Sequence, residues 1–337
     1  MFDWSWQLKD LNPEKDVKVF STFSCGGGSS MGYKRAGFQV IGNVEIDKKI
    51  NEMYKANHHP KYNFLMDLRK FNELDDLPEE LYHLDILDGS PPCSTFSMAG
   101  AREQSWNKVK KFREGQEAQR LDDLFFVYLD TVEKLKPKIS IAENVSGILL
   151  GNARGYCNEI IKRYHQLGYD VQIFKLNAAK MDVPQGRERV FFIANNQGYP
   201  KLNLNFDHPI IPFGKVKSIK GKELNHDSMA YRMAQRINYG DRDLSDVCKR
   251  ERGKVSMFGI KIAYDELVCC TLTAGSSMIR YSDRKELSDE DIVHISTFPE
   301  DYDFGENRPN YVCGMSVPPN MMANIANEIW GQWLCKK

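Results

Sequence analysis

The chain has 337 residues, 42% hydrophobic and 27% charged, with 46 basic side chains against 46 acidic ones. That balance belongs to a globular chain with a sizeable core, and it excludes a low-complexity polymer. No apolar stretch reaches the roughly 20 residues of a membrane span, and the opening MFDWSWQLKDLNPEKD has no basic start followed by an apolar run, so a cytoplasmic chain without a secretory leader is expected. Short apolar runs then predict strands at 17–20, 40–45, 85–87, 139–142, 171–176 and 190–194. Longer stretches with helical spacing lie between them, such as 122–135 and 154–167. This alternation implies βαβ units and an α/β fold, a mostly parallel sheet with helices on both faces. After Asn195 the periodicity fades, and 198–283 reads as a separate, irregular module. The last predicted element is a helix over PPNMMANIANEIWGQWL, with proline at its start and an apolar face suited to packing back on the first domain.

The zero net charge hides an uneven distribution. Residues 201–280 hold 14 Lys and Arg against 9 Asp and Glu, a surplus of +5, so the remainder carries −5. A second basic cluster comprises Lys108, Lys110, Lys111 and Arg113. Local basic surfaces suit phosphate binding, although solvated charged faces are the commoner reason for them. The eight cysteines include no CxxC pair, so neither a structural zinc site nor any other metal is expected, and disulfides are not expected in a reducing compartment.

Four motifs carry chemistry. The first, Phe23-Ser24-Cys25-Gly26-Gly27-Gly28, follows a predicted strand and opens a helix, a place where backbone can approach a ligand. Glu45 ends the next strand, where a carboxylate can accept from ribose hydroxyls, and Asp67 follows a third segment, in reach of an adenine amino group. GxGxxG is not satisfied, because Met31 stands at the third glycine; the motif supports an adenosine-type cofactor, with a ligand-free turn as the alternative. The second, Asp88-Gly89-Ser90-Pro91-Pro92-Cys93-Ser94, places a thiol after two stiffening prolines at a carboxyl strand end. A thiolate there is a nucleophile, whereas a lone PPC is more often a buried turn. The third, Glu143-Asn144-Val145, offers a carboxyl group for a heterocyclic nitrogen or a proton, or else a helix cap. In the fourth, Gln185-Gly186-Arg187-Glu188-Arg189, arginines at i and i+2 of an extended segment are expected to point the same way, toward one substrate or toward ordinary salt bridges.

Taken in order with Thr271-Leu272-Thr273-Ala274-Gly275 and Gly314-Met315-Ser316-Val317-Pro318, these motifs resemble the cytosine-5 DNA methyltransferases of bacterial restriction-modification systems, from about residue 17 to the end of the sequence. The resemblance implies a Rossmann-like S-adenosylmethionine methyltransferase sheet, formed by 1–197 and completed by 310–337. It implies a target-recognition module over 198–283 and a hinge over 284–309. It also implies a covalent route, with Cys93 attacking carbon 6 of a flipped-out cytosine and Glu143 holding nitrogen 3 and the amino group. Arg189, with Arg187 behind it, would hold the O2 edge. For the cofactor it implies Phe23, Gly26, Gly28, Glu45, Ile46, Asp67, Leu68, Pro92, Leu124 and Ser316. For duplex DNA it implies Ser94, Ser97, Lys108, Lys110, Lys111 and Thr271. The sequence departs from the family's usual residues at Ser21, Cys25, Ser94 and Met315. A tRNA-modifying branch sharing SPPC, and a DNA-binding regulator without turnover, are the alternatives. A monomer acting on DNA is expected, with a restriction endonuclease as a separate partner.

Overall fold

The computed structural model describes residues 1–92, 123–151, 153–257, 259–275 and 277–335. Cys93, Ser94, Ser97, Lys108, Lys110 and Lys111 lie outside the described residues. Two compact units are formed, one from 11–176, 188–205 and 322–337, the other from 1–10, 177–187 and 206–321.

The first unit is built on β1 (Lys18–Thr22), β2 (Gln39–Glu45), β3 (Tyr62–Leu65), β4 (Ile86–Gly89), β5 (Ile139–Val145), β6 (Asp170–Asn177) and β8 (Glu188–Asn195); β7 (Gln185–Gly186) belongs to the second unit. Its seven-stranded sheet has the order β3-β2-β1-β4-β5-β8-β6. The first five of these strands run parallel, and β8 runs antiparallel to β5. Helices α1 (Gly28–Arg35), α2 (Lys48–His58), α3 (Leu68–Glu73), α4 (Leu124–Leu135) and α5 (Ala153–Gln166) make the crossovers. Continuous apolar runs such as Ile86-Leu87 and Val190–Ala194 are what strands covered on both faces require, and these residues are buried. Leu87, Tyr128, Leu129, Ile160, Tyr164 and Phe192 pack in one core with Phe20 and Phe71.

A polar row interrupts that core one or two residues short of the carboxyl strand ends. The register pairs Asp88 with Ser21, Ser21 with Asn43 and Asn43 with Asn63, from β4 across to β3. All of it is hydrogen-bonded, as burial demands. Asn43 donates to Ser24 Oγ at 3.0 Å, and Asn63 donates to Asn43 Oδ1 at 2.7 Å.

The second unit holds β7, β9 (Ile260–Ala263), β10 (Cys269–Cys270) and β11 (Ser277–Arg280), with α6 (Met229–Ala234), α7 (Leu244–Arg252), α8 (Asp289–Ile295) and α9 (Pro309–Met315). Within it, 224–281 has its own core of Leu224, Met233, Leu244, Val247, Ile262 and Ile279. A buried ion pair fastens this region: Arg280 Nε donates to Asp291 Oδ2 at 2.9 Å, while Asp291 Oδ1 accepts from Ser218 N at 2.8 Å. Ser288 and Asp291 also form a capping box at the start of α8. The final predicted helix is present as α10 (Pro319–Ile329), continued by a π-helical turn over Trp330–Leu334. Among the described residues no helix is long and apolar enough to cross a membrane.

Candidate active site

The functional side chains gather where β1, β2, β4 and β5 end, because parallel strands deliver all their carboxyl ends to one edge. Between β1 and α1 the backbone turns left-handed three times, at Phe23 (φ 51°), Cys25 (φ 45°) and Gly27 (φ 70°). A left-handed phenylalanine is costly, and such strain persists where the surroundings impose it, often at ligand loops. Gly27 is obligatory on a second count, since a Cβ there would lie 2.1 Å from His58 Nε2. His58 is buried and stacked on Tyr54 with ring centroids 4.3 Å apart, and burial first, then the nearby Lys34 charge, holds its imidazole neutral. Gly26 and Gly28 are buried, Gly28 opens α1, and Phe23 is half-buried against the core.

Glu45 ends β2. Its Oε2 accepts from Cys25 N at 2.9 Å, and its Oε1 accepts from Ile46 N at 2.8 Å and Asp47 N at 3.0 Å. Burial pushes its carboxyl up, and these three donors pull it back down. One backbone donor on Oε2 leaves that oxygen with lone-pair capacity for a further hydroxyl. Asp67 caps α3 through Arg69 N at 2.8 Å, and Leu68 behind it is buried. Leu124, the first residue of α4, is buried, and Pro92 is half-buried. Glu45 and Asp67 stand on neighbouring strand ends, where Met66 N donates to Glu45 O at 3.0 Å. A carboxylate pair beside a strained loop and the start of a helix is a donor and acceptor set that fits the ribose and adenine of a nucleoside.

At the end of β5, Glu143 Oε1 meets Arg189 Nε at 2.9 Å, with side-chain exposures of only 10% and 13%. The antiparallel register explains the pair: Arg189 lies opposite Val145 and Glu143 opposite Phe191, so the two are diagonal neighbours on one face. Burial lowers the Arg189 guanidinium, and Glu143 acts to raise it again. Next to Glu143, Asn144 Nδ2 donates to Pro91 O at 3.3 Å, which ties the segment after β4 to the end of β5. The motifs ENV and SPPC named both residues without indicating that they bond.

Arg187 is buried in the second unit, donating from Nη1 to Leu272 O at 2.8 Å and from Nη2 to Gly314 O at 3.0 Å. β7 ends at Gly186 and β8 begins at Glu188, so no single strand carries both Arg187 and Arg189. Arg187 thus holds two backbone carbonyls from a buried position. Thr271, also in the second unit, donates from Oγ1 to Gly186 O at 2.5 Å, and Ser316 donates from Oγ to Val312 O at 2.8 Å.

A sheet of this order with a reversed strand beside its last member, and an acidic residue ending β2, defines a Rossmann-like methyltransferase domain. Solved structures share the fold. A prophage-encoded protein of E. coli described as a DNA modification methyltransferase superposes with TM-score 0.66 at 19% identity, covering 95% of this chain and 100% of that one. Spodoptera frugiperda DNMT2 gives 0.65 at 15%, covering 94% and 100%. Residues 17–331 match the family model for C-5 cytosine-specific DNA methylase, and the chain belongs to that family. Type II methyltransferase M.NgoPII of Neisseria gonorrhoeae is 36% identical over 194 residues, 57% of this chain and 51% of its own length. M1.HphI of Haemophilus parahaemolyticus is 28% identical over 327 residues, 91% of this chain and 85% of its own. This chain thus spans about half the length of M.NgoPII, and likewise 51% of M.FnuDI of Fusobacterium nucleatum.

Proposed function

We propose that the chain is a DNA (cytosine-5-)-methyltransferase acting on a flipped-out cytosine in a short duplex sequence. The observation that carries this is the buried Glu143–Arg189 pair, next to Asn144 bonded to Pro91 O, in a chain of the C-5 cytosine methylase family. S-adenosylmethionine, when bound, supplies an electrophilic methyl group. Glu45, Asp67, Phe23, Ile46, Leu68, Pro92, Leu124, Gly26, Gly28 and Ser316 would hold it.

Carbon 5 of cytosine is too weak a nucleophile to be methylated unaided. In the proposed route the Cys93 thiolate adds to carbon 6, which leaves carbon 5 electron-rich. Glu143 hydrogen-bonds nitrogen 3 and the amino group, favouring that addition, while Arg189 takes the O2 edge and balances Glu143 through its Nε. Once that electron-rich carbon 5 has taken up the methyl group, loss of its proton re-forms the ring double bond and expels Cys93. A base within a duplex is out of reach of such groups, so it must leave the stack. The domain formed by 1–197 and 310–337 would do the chemistry, 198–283 would read the target in the major groove with Thr271, and 284–309 would be the hinge. Ser94, Ser97, Lys108, Lys110 and Lys111 would line the DNA, with the chain acting as a monomer in the cytoplasm and any cognate endonuclease acting separately.

Two measurements check this reading. Methyl transfer from labelled cofactor to DNA and to tRNA, wild type beside Cys93→Ala, is expected to label DNA only and to vanish in the variant. Label on tRNA alone would overturn the substrate, and label on neither would favour a binding module. Glu45→Ala is expected to weaken S-adenosylmethionine binding by about 10- to 100-fold, as loss of hydrogen bonds to a charged group implies; calorimetric titration reads it, and unchanged affinity would remove Glu45 from the site.

A further inference from the structure

Asp88 is a carboxylate inside the sheet, 2% exposed, on the strand that runs into Ser90-Pro91-Pro92. Register pairs it directly with Ser21 of β1, the strand that runs into the loop 23–28. Ser21 Oγ donates to its Oδ2 at 3.0 Å, Tyr33 OH of α1 donates to its Oδ1 at 3.0 Å, and Thr22 Oγ1 donates to its backbone oxygen at 3.0 Å. Leucine or valine would fill this central strand position at lower cost, so a buried acid with both oxygens engaged calls for a reason.

We propose that Asp88 is a positioning residue for methyl transfer, tying the strand that leads toward Cys93 to the strand and helix that frame the glycine loop. The inference rests on the methyltransferase reading of this site. At its depth Asp88 reaches no ligand and acts through the two segments it joins. The titratable groups around it are Tyr33 of α1, Tyr54 of α2, Tyr128 of α4 and Glu143 of β5. Burial raises its carboxyl to about 7, with Ser21 and Tyr33 pulling it down and Glu143 pushing it up. Only the ionised form lets both hydroxyls donate; a proton on one oxygen forces one of them to turn away or accept. The tie therefore tightens as pH rises through neutrality. Stability moves the other way: between about pH 4 and 7 the folded chain keeps a proton that the unfolded chain has lost, so this group's contribution falls as pH rises across that window.

The test compares wild type, Asp88→Asn, and the swap Ser21→Asp with Asp88→Ser, which returns a carboxylate to the same interstrand pair. In Asp88→Asn the decline of stability from about pH 4 to 7 should flatten. Its kcat/KM for S-adenosylmethionine should fall about tenfold at pH 8 and lose its step near neutrality. The swap should recover most of that loss. A variant with fewer active molecules but the wild-type KM and pH profile would reduce Asp88 to a structural role and overturn the proposal, as would a swap no better than Asp88→Asn. If wild type itself transferred no methyl group to any DNA, the functional reading would fail first and this inference with it.

Discussion

Glu143→Gln is expected to slow methyl transfer by about 10²- to 10⁴-fold while leaving the fold intact, because it removes a positioned acid–base group and keeps its shape. The amide oxygen of glutamine still accepts from Arg189 Nε, so the bond now 2.9 Å long survives with one charge gone. Glu143→Ala is a different experiment. It strands a guanidinium that is 13% exposed, and an uncompensated buried charge costs about 3–5 kcal/mol. Initial rates on duplex DNA, read beside thermal unfolding, separate the two: the glutamine variant should melt like wild type and turn over slowly, and the alanine variant should lose both. A glutamine variant with near wild-type turnover would remove Glu143 from the chemistry.

The second large effect concerns stability. Asp291→Ala should destabilise the second unit by about 3–5 kcal/mol, since Arg280 would keep a buried charge with only the longer contact to Asp283, at 3.5 Å, to balance it. Both side chains are essentially inaccessible, at 1% and 0% exposure. The same carboxylate also accepts from Ser218 N and closes the capping box at Ser288, so the cut releases three segments at once. Denaturant unfolding followed by tryptophan fluorescence and circular dichroism reads the loss. A change within 1 kcal/mol, about a fivefold shift in the folded to unfolded ratio, would mean that the pair adds little over an apolar contact.

Much of the sheet was legible because fully covered strands are apolar over most of their length. Predicted runs at 139–142 and 190–194 fall inside β5 and β8. β3 was harder to see: Tyr62–Leu65 is a short edge strand, half-buried with Leu65 exposed, and it gives neither an apolar run nor an alternation. In 198–283 the elements are strands of two or four residues and helices of six and nine. These are shorter than the window over which periodicity shows, so the module read as irregular.

At the site, chemistry was legible and its geometry was not. Glu45, Glu143 and Arg189 stood out as polar residues beside apolar runs. That Arg189 meets Glu143 depends on β8 lying antiparallel to β5, which no local pattern encodes. His58 beneath Gly27, and Ser21 opposite Asp88, are long-range pairings set by strand order. An acid in the apolar run Ile86-Leu87-Asp88 was the one visible signal of the polar row.

Covalent chemistry at Cys93 can be trapped. With fluorine in place of hydrogen at carbon 5 of the target cytosine, no proton is available for the elimination that frees the thiol. Duplex DNA carrying this base, incubated with the chain and S-adenosylmethionine and run on a denaturing gel, should give a complex of one chain per duplex with wild type and none with Cys93→Ser. An adduct that persists in Cys93→Ser, or wild-type turnover on ordinary DNA with no trapped species, would overturn the covalent route.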